Sequence, residues 1–280
     1  MSDRFRNHDQ EYLRTVQYGT PNRLNARTSL HTKYSTAEIP WFEWLRHQVD
    51  LAGEPQVLEV GCGTGQFWET ASDDSRGVDL TVTDLARSMV DITVAKASGR
   101  VNSVTGIECD AQDLPFPNQT FDVVIANQML YHVPDPTLAI RELARVMRPN
   151  GALLASTVGP RHLRELFALE AATFGATRLV RHHEIFGSLS GLQLLQSSFN
   201  DVEWRPYDDR LECTEGDDVV AYIVSMPPGE DASDEDITRL RAEVDCRLSL
   251  GGGVLTITKD VGAFVARRSK QSLTSTVTSK

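Results

Sequence analysis

Three acids and three glycines stand where strands hand over to loops. Residues 57–65 read V-L-E-V-G-C-G-T-G, so Glu59 precedes Gly61, Gly63 and Gly65. Glycine at a strand-to-helix turn permits positive φ and lets a ligand lie against bare backbone. A pyrophosphate-binding turn follows G-x-G-x-x-G/A. Here the third glycine comes one residue early and Gln66 holds the sixth position. The spacing therefore fits a ligand without phosphate, whose charged part is an amino acid. An acid on an apolar strand, as Glu59 is, costs free energy unless paired. It can orient the loop and balance a cationic ligand, or simply accept hydrogen bonds from nearby amides. Asp84 closes a second apolar run, where a carboxylate can accept both hydroxyls of a ribose. Asp110, followed by Ala111 and Gln112, closes a third and can accept from an exocyclic amine such as that of adenine.

The elements that must position these groups alternate in type. Apolar, β-branched runs at 57–60, 80–83, 104–109, 121–126 and 152–157 read as strands, with helices from about 65, through 96, and from a cap at Asp135 with Pro136 in its first turn. Ala139, Ile140, Leu143, Ala144 and Met147 form the buried stripe of that last helix, and Pro149, Asn150 and Gly151 stop it. Five strand-then-helix units in series predict right-handed crossovers and a parallel sheet. Upstream, Trp41, Trp44, Leu45, Val49 and Ala52 recur at helical spacing over 38–52. Downstream, 160–186 reads as helix, 189–198 as helix, 202–207 as strand, 217–225 and 234–248 as helices, and 252–266 as a strand pair or one long strand. The Ser/Thr-rich tail from Lys270 is expected to be disordered.

Composition narrows the class. The chain has 280 residues, of which 40% are hydrophobic, so one large domain can build a core. A net charge of −11 argues against nucleic-acid binding, which needs clustered Lys and Arg. The four cysteines, Cys62, Cys109, Cys213 and Cys246, are scattered, which argues against a disulfide framework or zinc site and for a reducing cytoplasm. No run approaches the ~20 apolar residues that span a bilayer. No metal is expected: His182 and His183 are adjacent and point apart on a helix.

V-L-E-V-G-C-G-T-G, C-D-A-Q-D-L-P-F-P-N-Q-T-F-D-V-V-I-A-N, Y-H-V-P-D-P and L-A-R-V-M-R-P-N-G-A-L-L together resemble the class I S-adenosylmethionine-dependent methyltransferases. The branch they are most similar to is the small-molecule group related to the ubiquinone/menaquinone-biosynthesis C-methyltransferases. The resemblance covers about 55–158 and implies a doubly wound, Rossmann-like, mostly parallel seven-stranded α/β sheet with a reversed final strand. It further implies a helical N-terminal lid (1–52), a cofactor-binding domain (53–268) and a helical insertion over the substrate (about 160–188), with 269–280 as tail. By that pattern Glu59, Gly61, Cys62, Gly63 and Gly65 surround the methionine part of the cofactor. Asp84 binds the ribose, with Leu85 against the adenine. Asp110 and Ala111 contact the adenine, with Gln112 beside it. Asn127 approaches the methionine amino group through its backbone, and Arg27 in the lid holds the carboxylate.

The implied reaction moves a methyl group from S-adenosylmethionine to a small organic acceptor, leaving S-adenosylhomocysteine. Tyr18 in the lid and His132 after the fourth strand are the candidates for a base. Nitrogen, oxygen and carbon acceptors all stay open, as does a homo-oligomer. A nicotinamide-dependent oxidoreductase and a non-catalytic cofactor-binding module are the competing readings. The acidic stretch Asp208–Asp218 reads as a solvated edge, or else as recognition of a cationic substrate such as an aminosugar.

Overall fold

A computed structural model describes residues 22–71, 75–175, 182–226 and 228–268, with side chains in the first helix from Thr28 onward. Its central sheet has seven strands: β1 (Gln56–Val60), β2 (Asp79–Asp84), β3 (Ser103–Glu108), β4 (Phe121–Asn127), β5 (Met147–Val158), β6 (Asp201–Tyr207) and β9 (Val261–Arg267), in the order β3-β2-β1-β4-β5-β9-β6. The first five run parallel. β9, last in the chain, slots antiparallel between β5 and β6. A second sheet pairs β7 (Arg210–Cys213) with β8 (Leu255–Thr258). The stretch 252–266 is thus two strands in two sheets. The reversed last strand that the resemblance implies is β9.

Alternation along the buried strands distributes side chains to two cores, as a sheet covered on both faces requires. Leu58, Val60, Val124 and Ala126 join one core with Ile140 and Leu143 of helix α5 (Pro136–Val146). Val57, Val123 and Ile125 face the other. There they meet Leu45 of α2 (Trp41–Arg46), Phe67 and Trp68 of α3 (Gln66–Glu69) and Val90 of α4 (Arg87–Ala97). The helix expected over 38–52 is shorter, because Pro40 opens it and the chain turns at His47. The expected run of five strand-helix units also has a gap: no helix joins β3 to β4, and residues 109–120 form a loop at the sheet's carboxyl edge.

A third core lies off the sheet. It joins Leu30 and Tyr34 of α1 (Asn22–Tyr34), Leu166 and Leu169 of α6 (Arg164–Phe174), Leu211 and Ile257 of the small sheet, Ile223 of α9 (Gly216–Val224) and Leu240 of α10 (Asp234–Leu250). Between α6 and α9 come α7 (His182–Phe186) and α8 (Ser190–Gln196). The single helix expected over 160–186 is therefore divided, with Gly175 at φ +90° ending α6. The acidic stretch fastens this cap. Asp218 accepts from Lys33 Nζ at 2.6 Å and Tyr34 OH at 2.7 Å. Asp209 accepts from Ser35 Oγ at 2.9 Å and from the amides of Thr36 and Ala37 at 3.0 and 3.2 Å. Among the described residues no helix is long and apolar enough to cross a membrane.

The capped start of α5 gives a stability test. Asp135 Oδ1 accepts from the Thr137 and Leu138 amides at 2.9 and 3.0 Å. Asp135→Ala should cost about 0.5–2 kcal/mol in urea unfolding, and Asp135→Asn much less.

Candidate functional site

A cavity of about 680 Å³ lies between the carboxyl edge of the sheet and the cap. That size suits small organic ligands. Its floor is the β1–α3 turn. Gly61, Gly63 and Gly65 sit at φ +67°, +53° and +70°, so each occupies the left-handed region that side chains avoid. A Cβ on Gly61 would also come 2.8 Å from Met129 Cβ, and one on Gly65 2.8 Å from Thr93 Cα. Gly65 does not itself line the cavity; it ends the turn and starts α3. Gly61, Cys62, Gly63 and Thr64 do line it. The Cys62 thiol is buried and its burial beside Asp84 pushes its pKa well up, so it is no nucleophile.

Asp84 ties the turn to the next strand. Its Oδ2 accepts from the Gly63 amide at 3.0 Å and its Oδ1 from the Ala86 amide at 2.9 Å. Burial pushes its carboxyl above the ordinary value, and the amide donors pull against that. Glu59 is 1% exposed. Its partner is not a backbone amide but the Trp68 indole, whose Nε1 donates to Oε2 at 2.7 Å. Burial raises the Glu59 carboxyl to about 8, with the Asp84 charge adding to the rise. A cation brought beside it would favour the ionised form.

Asp110 and Ala111 line the cavity, as do Leu85, Asn127 and His132. Gln112 does not. Its amide and side-chain nitrogens donate to Asp110 while its Oε1 accepts from the Asp135 amide at 3.0 Å, so it braces Asp110 against the start of α5. Asn127 Oδ1 accepts from Ser156 Oγ, and Ser156 Oγ accepts from the Gln128 amide at 3.0 Å, which holds the β4 end. Tyr18 and the Arg27 side chain lie outside the described residues. His132 stands on a short turn whose Tyr131 packs on His132 and His182, with ring centroids 4.6 and 4.5 Å away.

Further lining residues come from the cap. His31 of α1 and His162 stack at 6.2 Å, and His31 meets Tyr222 edge-on at 5.7 Å. Burial, with Lys259 nearby, takes His31 down to about 3, and His162 also falls well below its ordinary value. Both rings are neutral at neutral pH. Lys259 pairs with Asp209 at 3.0 Å, with both side chains almost fully buried. His182 and His183 of α7 and Glu170 of α6 complete this upper half. His162 and Glu170 sit inside a segment whose periodicity announced only a helix.

The lower half fits the cofactor that the resemblance implies. Bare backbone at 61–64 and three acids at the ends of three strands offer acceptors for an ammonium, ribose hydroxyls and an exocyclic amine.

A family model described as a methyltransferase domain matches residues 58–155. A ubiquinone biosynthesis O-methyltransferase of Xanthomonas oryzae is 31% identical over 198 residues, 65% of this chain and 80% of that protein. A malonyl-[acyl-carrier protein] O-methyltransferase of Paenibacillus is 30% identical over 134 residues, 47% of this chain and 49% of that protein. The chain spans about half the length of that relative and 56% of a Pseudomonas fluorescens ubiquinone biosynthesis O-methyltransferase. Two solved structures share the fold. The YcgJ protein of Bacillus subtilis has a TM-score of 0.54 at 19% identity, over 81% of this chain and 97% of that one. A Haemonchus contortus phosphoethanolamine N-methyltransferase in complex with S-adenosylhomocysteine has a TM-score of 0.55 at 18% identity, over 93% and 60%.

The raised Glu59 carboxyl sets a pH test. A folded pKa above the unfolded one means the native state holds a proton the unfolded chain releases, so stability falls as pH rises from about 4.5 to about 8. Glu59→Gln removes that dependence and keeps an acceptor for Trp68. In urea titrations at pH 5.5, 6.5 and 7.5 the stability difference, variant minus wild type, should grow by up to about 1.4 kcal/mol per pH unit. A difference that stays flat with pH would show that Glu59 is ionised throughout.

Proposed function

The chain belongs to the S-adenosylmethionine-dependent methyltransferases, and from that premise we propose that it methylates a small organic acceptor in the cavity between sheet and cap. The observation that carries this reading is the cradle itself. Three glycines at positive φ shape the turn, and residues 61–64 line one cavity with Glu59, Asp84 and Asp110 from the ends of the first three strands.

In this reading the 61–64 backbone and Glu59 hold the amino-acid part of the cofactor. Asp84 takes the ribose hydroxyls with Leu85 against the adenine, and Asp110 with Ala111 takes the adenine edge. When bound, the cofactor supplies a methyl group already activated on a sulfonium. What remains for the chain's own residues is to place the acceptor's lone pair in line and to exclude water. The cap closes the upper half with Leu163, Leu166, Phe167 and Tyr222, which keeps that side largely apolar. A hydroxyl acceptor must also lose a proton, and in this reading His132, which lines the cavity on the turn that follows Asn127, takes it. The relatives named O-methyltransferases are in keeping with a hydroxyl acceptor.

Calorimetry with S-adenosylmethionine checks the reading directly, and absence of saturable binding by the purified protein would sink it. Asp84→Ala removes the ribose acceptor and the anchor of the Gly63 amide together. Cofactor affinity should fall by about 1–3 kcal/mol, roughly 5- to 150-fold. His132→Ala should lower turnover with a hydroxyl acceptor by about 10²–10⁴-fold while cofactor affinity holds. The acceptor can be sought by incubating cell extract with labelled cofactor and reading the labelled product by mass spectrometry.

A further inference from the structure

Glu170 is a buried acid without a partner. It is 2% exposed, and among the described residues it makes no hydrogen bond or ion pair. Burial alone lifts its carboxyl to about 8. An isolated carboxyl inside an apolar core costs several kcal/mol if ionised, and among the described residues nothing in the cap's packing compensates for it. The helix does not need it either. Thr173 Oγ1 satisfies the Leu169 carbonyl at 3.0 Å, and Leu166 and Leu169 supply the core contacts.

What Glu170 does face is the cavity. Leu166, Phe167 and Glu170 stand at i, i+1 and i+4 along α6 and so lie on one side of the helix, and they line the cavity together with Leu163, which precedes it. That face belongs to the cap, across the cavity from the glycine turn. Glu170 therefore serves the acceptor half and not the cradle. The charge of the lining points the same way. Its carboxylates are Glu59, Asp84, Asp110 and Glu170, whereas Lys259 is the sole Lys or Arg among the described lining residues and is already held by Asp209 at 3.0 Å. His31 and His162 add no positive charge, since burial keeps them neutral. An anionic acceptor finds no free Lys or Arg among the described lining residues. A cationic one finds an unclaimed carboxyl framed by aliphatic and aromatic side chains.

We propose that Glu170 is the specificity-determining residue of an acceptor subsite in the cap, where it binds a basic amine on an otherwise apolar acceptor. The ammonium meets Glu170 while a second group of the same molecule is presented toward the cradle for methylation. In a water-poor pocket such a charge-assisted hydrogen bond is stronger than a neutral one. It also discriminates sharply, because an acceptor lacking the donor leaves the carboxyl buried and unpaired.

The subsite rests on the methyltransferase reading, and the experiment separates the two. The full chain, saturated with S-adenosylhomocysteine, is titrated by calorimetry with tyramine, phenethylamine and dopamine and with the N-acetyl derivative of each. At least one amine should bind at least 10-fold more tightly than its N-acetyl counterpart. Glu170→Gln should abolish that preference, Glu170→Asp should restore part of it, and neither variant should alter S-adenosylhomocysteine affinity. Equal binding of amines and N-acetyl forms, a preference that survives Glu170→Gln, or no binding of any amine overturns the subsite. Failure of S-adenosylhomocysteine itself to bind overturns the underlying reading instead. Should Glu170→Gln unfold the cap, Phe167→Leu gives the second handle: it keeps Glu170 and should weaken amine and N-acetyl forms alike, leaving their ratio intact.

Discussion

The Asp84 carboxylate is the joint on which the lower half of the site depends. One oxygen holds the Gly63 amide and the other the Ala86 amide, so a single side chain fixes both the turn after β1 and the start of the segment after β2. Thr93 Oγ1 closes the arrangement from α4 by donating to the Gly63 carbonyl at 3.0 Å. With the turn held in this way, residues 61–64 line the cavity while both polar backbone groups of Gly63 are taken by Asp84 and Thr93. The left-handed φ values at Gly61, Gly63 and Gly65 are conformations that side chains would resist, and the neighbouring Met129 and Thr93 leave no room for them.

The upper half depends on a separate core. The cap packs α1, α6, α9, α10 and the small sheet around Leu166, Leu211, Ile223 and Leu240, with few of its members drawn from the central sheet. Segments more than 170 residues apart in the chain meet there through Asp209 and Asp218, which hold α1 and the residues that follow it. An acidic stretch on an acidic protein thus acts as a set of anchors for the end of α1 and the residues that follow it. Asp209 serves twice, since its other oxygen pairs with Lys259 at the cavity wall.

These two halves differ in their electrostatics. Below, the acids are braced by backbone amides, an indole and Gln112. Above, His31, His162 and Glu170 are kept neutral by burial, with few or no partners of their own. Groups held neutral in a water-poor pocket respond strongly to what enters it, because the low dielectric magnifies both pairing and its absence.

The sequence by itself determined the order of strands, the glycine turn, the acids at three strand ends and the Asp135 cap. Each of these is local: a period-2 apolar run, a residue type required by φ, a side chain bonding an amide two residues away. It read the helix at 38–52 too long and joined two helices over 160–186, because apolar spacing continues across Pro40 and Gly175 without showing where the chain turns. It carried no sign that Gln112 braces Asp110 against the start of α5. Only the tertiary structure decided that Glu59 answers Trp68, that the acidic stretch fastens the lid, and that His31, His162, Lys259 and Glu170 share one cavity. Those residues come from three distant segments, and their meeting depends on how the cap's core closes over the sheet. No periodicity or motif records that closure.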